Sequence, residues 1–185
     1  MKYLLIIFLF LSPSLSWSKD VSRDDLVKRD GLFYEKFTDV PFTGNVTGKK
    51  QGKIIEGKPE GEFLTYYESG QLKEKINYKD GKKEGERILY YESGQLKDKI
   101  NYRDGALEGE RLEYFENGQL KEKVNYKDGK KEGEGLWYYE NGQLEEKVNY
   151  KEGEKNGEWL NYYDNGQLVR TRMYKDGKLI ETITP

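Results

Sequence analysis

The sequence predicts an all-β protein, an elongated antiparallel β-hairpin array laid out as a single-layer meander of five 24-residue repeats. Three observations predict it. A unit opening at Gly61, Gly85, Gly109, Gly133 and Gly157 recurs in register without insertion. A period of this size marks units that cannot bury their apolar faces alone and stack on their neighbours. Each unit alternates two β-prone runs with polar-Gly punctuation. Finally, 16 tyrosines and 7 phenylalanines supply burial area in a chain that is only 35% hydrophobic and 36% charged. An aromatic-rich, thin sheet fits that balance better than a thick aliphatic core.

Residues 1–18 read as a secretory signal peptide. Lys2 precedes an unbroken apolar run from Tyr3 to Leu11, and Ser16 and Ser18 supply small residues at −3 and −1. Cleavage is expected between Ser18 and Lys19, which implies a periplasmic or secreted protein. The run falls short of the ~20 residues of a membrane span, so an uncleaved anchor is the lesser alternative. The chain has no cysteine, hence no lipid-bearing cysteine and no disulfide framework.

Residues 19–60 read as an N-terminal degenerate repeat region. A short helical stretch is expected from Ser22, with Asp25 completing a capping pattern. A strand-like run from Leu32 to Phe37 and a Gly-rich segment from Phe42 to Gly61 follow. No linker separates this region from the array at 61–181, so the two read as one domain, with 182–185 as a C-terminal tail.

In the first repeat, Phe63–Tyr67 and Gln71–Tyr78 are the β-prone runs, punctuated by Glu68-Ser69-Gly70 and Lys79-Asp80-Gly81. Both punctuation marks suit a three-residue hairpin loop, a type I turn closed by a positive-φ glycine. With such a loop, uninterrupted pairing sets Tyr66 opposite Leu72 and Leu64 opposite Glu74. It gathers Leu64, Tyr66, Leu72, Ile76 and Tyr78 on one packed face. The opposite face then carries two columns that vary between copies: Phe63, Arg87, Arg111, Gly135 and Trp159, and Thr65, Leu89, Glu113, Trp137 and Asn161. The column Tyr67, Tyr91, Phe115, Tyr139 and Tyr163 shares that outward face. Candidate partner-binding residues are therefore Arg87, Arg111, Trp137 and Trp159 with this aromatic column.

Catalytic chemistry has little to stand on. The absence of histidine and cysteine removes Ser-His-Asp and Cys-His systems and the usual zinc ligand sets. The carboxylates recur at turn positions in every copy, such as Glu68 and Asp80, where a solvated turn role explains them. No catalytic, cofactor-binding or metal-binding residue is assigned, and the protein is expected not to be an enzyme. Acids exceed bases by two with interleaved signs, which leaves no basic footprint for nucleic acid or a membrane surface.

The run Tyr138-Tyr139-Glu140-Asn141-Gly142-Gln143-Leu144, with Asn125-Tyr126-Lys127-Asp128-Gly129-Lys130-Lys131-Glu132-Gly133-Glu134, resembles the bacterial variant of the MORN repeat. The segment Arg29-Asp30-Gly31-Leu32-Phe33-Tyr34, followed by Pro41-Phe42-Thr43-Gly44, is similar to the N-terminal part of the YwqK group within that family. The resemblance covers roughly residues 26 to 181. It implies a hairpin scaffold that binds a protein, and the YwqK group implies an antitoxin or immunity partner of a toxin. The expectation is a non-enzymatic, exported, monomeric scaffold that takes no cofactor. The alternative is an envelope module that binds cell-wall glycan or a surface ligand through an exposed aromatic strip.

Overall fold

A computed structural model describes residues 19–184; the expected signal peptide lies outside the described residues. The strands in chain order are β1 (Lys19–Ser22), β2 (Leu26–Arg29), β3 (Leu32–Glu35), β4 (Gly44–Thr47), β5 (Lys50–Ile55) and β6 (Lys58–Tyr66). They continue as β7 (Leu72–Lys79), β8 (Lys82–Tyr90), β9 (Leu96–Arg103), β10 (Ala106–Leu107), β11 (Gly109–Tyr114) and β12 (Leu120–Lys127). The last are β13 (Lys130–Tyr138), β14 (Leu144–Lys151), β15 (Glu154–Tyr162), β16 (Leu168–Lys175) and β17 (Lys178–Ile183). From β4 onward they form one antiparallel meander in sequence order, with β10 a short extension beside β9. The predicted array is therefore present. One feature departs from pure antiparallel pairing: β1 lies parallel to β4, with Val21 opposite Val46.

Two different turns alternate along the sheet. At the first, Gly70 N–H donates to the Tyr67 carbonyl at 3.0 Å and Tyr67 N–H to Gln71 at 2.8 Å, with Gly70 at φ 86°. That is the expected three-residue loop. The second differs from expectation. Lys79 pairs directly with Lys82, leaving a two-residue loop of Asp80 (φ 51°) and Gly81 (φ 81°). Two successive positive φ angles define a type I′ turn, whose twist matches that of the flanking strands. Aspartate tolerates the left-handed region better than most residues, which is why Asp-Gly suits it. The carboxylate of Glu60 accepts the Asp80 N–H at 2.8 Å, and Glu84, Glu108 and Glu132 repeat the contact one turn later each.

The expected packed face is corrected by a bulge. Tyr66 pairs with Leu72 as anticipated, but Thr65 then pairs with Glu74, Leu64 with Lys75 and Phe63 with Ile76. Lys73 is the extra residue, and it shifts the rest of the strand by one position. A one-residue shift exchanges the faces. Leu64 and Tyr66 therefore lie on one side with Lys75 and Glu62, whose side chains pair at 2.5 Å. Ile76 and Tyr78 lie on the other side, with Phe63 and Thr65. The same bulge recurs in repeats two to five. The most buried stripe is Ile76, Ile100, Val124 and Val148.

Residues 19–57 form more than a worn repeat. The β2–β3 hairpin is a separate sheet laid over the start of the main one, held by Phe33 N–H to Gly57 at 2.8 Å and Phe42 N–H to Phe33 at 2.9 Å. Val21, Leu26, Phe42, Val46, Ile54, Phe63 and Ile76 make a core between the layers. The helical stretch expected from Ser22 is one 3₁₀ turn, Arg23–Asp25, because Leu26 must turn inward at once and is 4% exposed. Ser22 caps it by accepting the Asp24 N–H at 3.3 Å; Asp25 takes no part. The predicted strand from Leu32 ends at Glu35, two residues before Phe37, which sits at φ 64°.

Candidate protein-binding face

The columns that vary from copy to copy share a face with the buried stripe. In the first four hairpins the residue at the Phe63 position sits opposite the Ile or Val, and the Thr65 position sits opposite an acid; in the fifth, Trp159 faces Arg172 and Asn161 faces Arg170. Strand pleating then delivers both columns, and the acids Glu74, Asp98, Glu122 and Glu146, to one side of the sheet. What changes along the array is the chemistry of this face. It is aromatic at repeat one, ionic at repeats two and three, and aromatic again at four and five.

At the ionic stretch, Arg111 is the centre. Its guanidinium reaches Asp98 at 2.6 Å, Glu122 at 2.7 Å and Glu113 at 2.8 Å. Arg87 binds Glu74 at 2.7 Å and stands 3.7 Å from the far oxygen of Asp98. Asp98 is 3% exposed, and its Oδ1 accepts no hydrogen bond. Burial opposes charge on Arg111, but the surrounding carboxylates outweigh it and hold the proton more tightly than usual. Burial alone would raise the Glu113 carboxyl. The hydrogen bonds and charges of Lys121 and Arg111 reverse that and lower it.

The predicted residues are thus only partly brought together. Arg87 and Arg111 share Asp98 and have their charge answered from within the chain. Trp137 lies 6.3 Å from Tyr150, and Lys131 covers both rings at 5.1 Å. Lys155 lies over the Trp159 ring at 3.1 Å and Arg172 at 4.5 Å, and the buried indole Nε1 finds no acceptor. Tyr67, Tyr91 and Tyr139 donate their hydroxyls to the backbone of the next repeat. Lys73, Lys97 and Lys121 lie over Tyr67, Tyr91 and Phe115 at 5.2, 5.0 and 5.9 Å. Tyr163, in the last repeat, is 54% exposed. This column stitches repeats together at the turn edge. The acid column diagonal to Arg87 and Arg111, which themselves face Ile100 and Val124, was missed from sequence. Its signal was the appearance of arginine where the first copy has Phe63, each 13 residues after the acid it binds, Glu74 or Asp98.

Open stacked hairpins with a recurring bulge and alternating turn types define a β-hairpin repeat protein. The description "MORN repeat variant" fits residues 59–80, 83–104, 107–128, 131–152 and 155–176, and the chain belongs to that family. No curated protein matches the chain. Among solved structures it is similar to one described as "Crystal structure of GtfA/B complex bound to UDP and GlcNAc", at 16% identity and a TM-score of 0.26. That likeness covers 77% of this chain and 26% of the other, so the chain spans about a quarter of its length, and carries no argument.

Proposed function

We propose that the chain is a non-enzymatic, exported scaffold that binds a protein through the face carrying Arg87, Arg111, Trp137 and Trp159. The observation that supports this most is the gathering of the copy-to-copy differences on one side of a continuous sheet. The frame repeats while the presented chemistry does not. An extended face with distinct aromatic and ionic zones suits a protein surface, which offers matching zones over similar lengths. The resemblance to the YwqK group directs the search to a toxin, with this chain as its antitoxin or immunity partner acting outside the cytoplasm. The non-enzymatic reading rests on the lack of histidine and cysteine.

The test is to express the neighbouring gene in an exported form, with and without this chain, and to co-purify the two. Toxicity relieved by the chain, with a stable complex weakened by Trp137→Ala, is the expected result. Neither toxicity nor co-purification would count against it. The glycan alternative has less support, because Lys131, Lys155 and Arg172 already lie over the indole faces that a sugar would stack on.

A further inference from the structure

The β2–β3 hairpin roofs a pocket of about 130 Å³ at the N-terminal end of the sheet. Its floor is apolar: Val46, Ile54 and Phe63 are each at most 3% exposed. Its rim is cationic, formed by Arg23, Lys28 and Lys50. None of the three forms an ion pair among the described residues, whereas Arg87 and Arg111 are answered by carboxylates. Arg23 donates to the Leu26 carbonyl at 3.0 Å and faces Phe33 at 5.0 Å. Lys28 lies 5.7 Å from the same ring, and Lys50 lies 5.8 Å from Phe63. The carboxylate nearest in effect to Lys50 is Glu74, which Arg87 already holds at 2.7 Å. Burial pushes the Lys50 ammonium below its ordinary value, and the charges of Arg23 and Lys83 push the same way. Three unanswered cations around an apolar floor are an arrangement that an anion would relieve.

We propose that this pocket binds an organic carboxylate bearing an apolar group, the group resting on Val46, Ile54 and Phe63 and the carboxylate held by Arg23, Lys28 and Lys50. The volume is close to the ~150 Å³ of apolar cavities that accept a benzene ring. A ring or branched side chain suits the apolar floor better than the hydroxyls of a sugar, which would find no partner there. The guanidinium fork of Arg23 matches the two oxygens of a carboxylate. Such a group is supplied equally by a free acid or by the C-terminal residue of a polypeptide. The proposal stands whether or not the variable face binds a toxin.

Calorimetric titration of the purified chain with N-acetylphenylalanine, its amide, and inorganic phosphate tests the chemistry. A hexapeptide ending in phenylalanine, free or amidated at its C-terminus, distinguishes the sources. The carboxylates should bind at least tenfold more tightly than the amides and than phosphate. Lys28→Gln, on an exposed side chain outside the core, should weaken them at least threefold with an unchanged melting curve, and Lys50→Gln should weaken them more. A free-acid hexapeptide tighter than N-acetylphenylalanine assigns the pocket to a chain terminus; equal or weaker binding assigns it to a small acid. Equal affinity for acid and amide, no binding of either acid, or tighter binding of phosphate overturns the proposal. So does full affinity in both lysine variants.

Discussion

The hydroxyl of Tyr67 donates to the backbone carbonyl of Tyr90, 2.8 Å away in the following repeat. Tyr91 makes the same bond to Tyr114 at 2.7 Å, and Tyr139 to Tyr162 at 2.9 Å. Phe115 interrupts the series, since it has no hydroxyl to offer the Tyr138 carbonyl. Phe115→Tyr is therefore expected to stabilise the array by about 0.5–1.5 kcal/mol, and Tyr91→Phe to destabilise it by a similar amount. Urea denaturation of both variants checks this. An unchanged midpoint for Phe115→Tyr would mean that the ladder contributes packing and not a hydrogen bond.

Among the described residues, Arg111 is the one cation touching Asp98, Glu122 and Glu113 together. Arg111→Met keeps much of the stem's bulk but leaves Asp98, at 3% exposure, with Arg87 alone at 3.7 Å, and takes the nearest cation from Glu122 at 9% exposure. Removing one partner from a buried ionic group costs about 3–5 kcal/mol, more than the pair adds over an apolar replacement. The single variant should be strongly destabilised, and adding Asp98→Asn should recover part of the loss. A double variant as unstable as the sum of the two singles would show that the residues do not act as one network.

The same network predicts a pH response. Lys121 and Arg111 hold the Glu113 carboxyl below its ordinary range despite partial burial. A carboxyl lowered in the folded state adds stability that is complete above its unfolded value of about 4.3, and is lost as pH falls through the lower folded value. Glu113→Gln lacks that contribution. The difference in urea midpoint between the wild-type chain and Glu113→Gln should therefore be largest near pH 7 and shrink below pH ~4. A constant difference from pH 7 to pH 3 would remove the ion pair from the explanation.

How much of this was legible in the sequence depends on what parity can see. Period, turn glycines and aromatic columns carry the hairpin array, because each copy must satisfy the same local rules. The Lys73 bulge is silent: lysine suits a paired position and an unpaired one equally, and only the pairing of Phe63 with Ile76 exposes it. That bulge, repeated in every copy, moved Leu64 and Tyr66 off the packed face and brought Phe63, Arg87 and Arg111 onto it. The candidate residues were found because they vary, and variation does not reveal that Arg111 is already answered by three acids. The roof of the N-terminal pocket was hidden for another reason. Phe33 reaches the core that contains Phe63 only through tertiary packing of a hairpin that shares no ladder with the main sheet.

Gly135 stands where the other copies have Phe63, Arg87, Arg111 and Trp159, and the Trp137 indole fills the space its missing side chain leaves. A Cβ built there would lie 2.7 Å from Trp137 Cη2 and 3.2 Å from Val124 Cγ2. Gly135 does not sit at positive φ, so alanine suits its backbone; the obstacle is the ring. Gly135→Ala must push the indole away from Lys131 and Tyr150, at a cost of about 1–3 kcal/mol typical of overpacking. Ordinarily an alanine in a strand would be neutral or slightly favourable relative to glycine. In a Trp137→Ala background the obstacle is gone, and Gly135→Ala should become neutral or stabilising. The double-mutant cycle by urea denaturation measures that reversal, and tryptophan fluorescence should report a more solvated indole in the single variant. If Gly135→Ala costs the same with and without Trp137, the glycine is required by the backbone and the indole merely lies beside it.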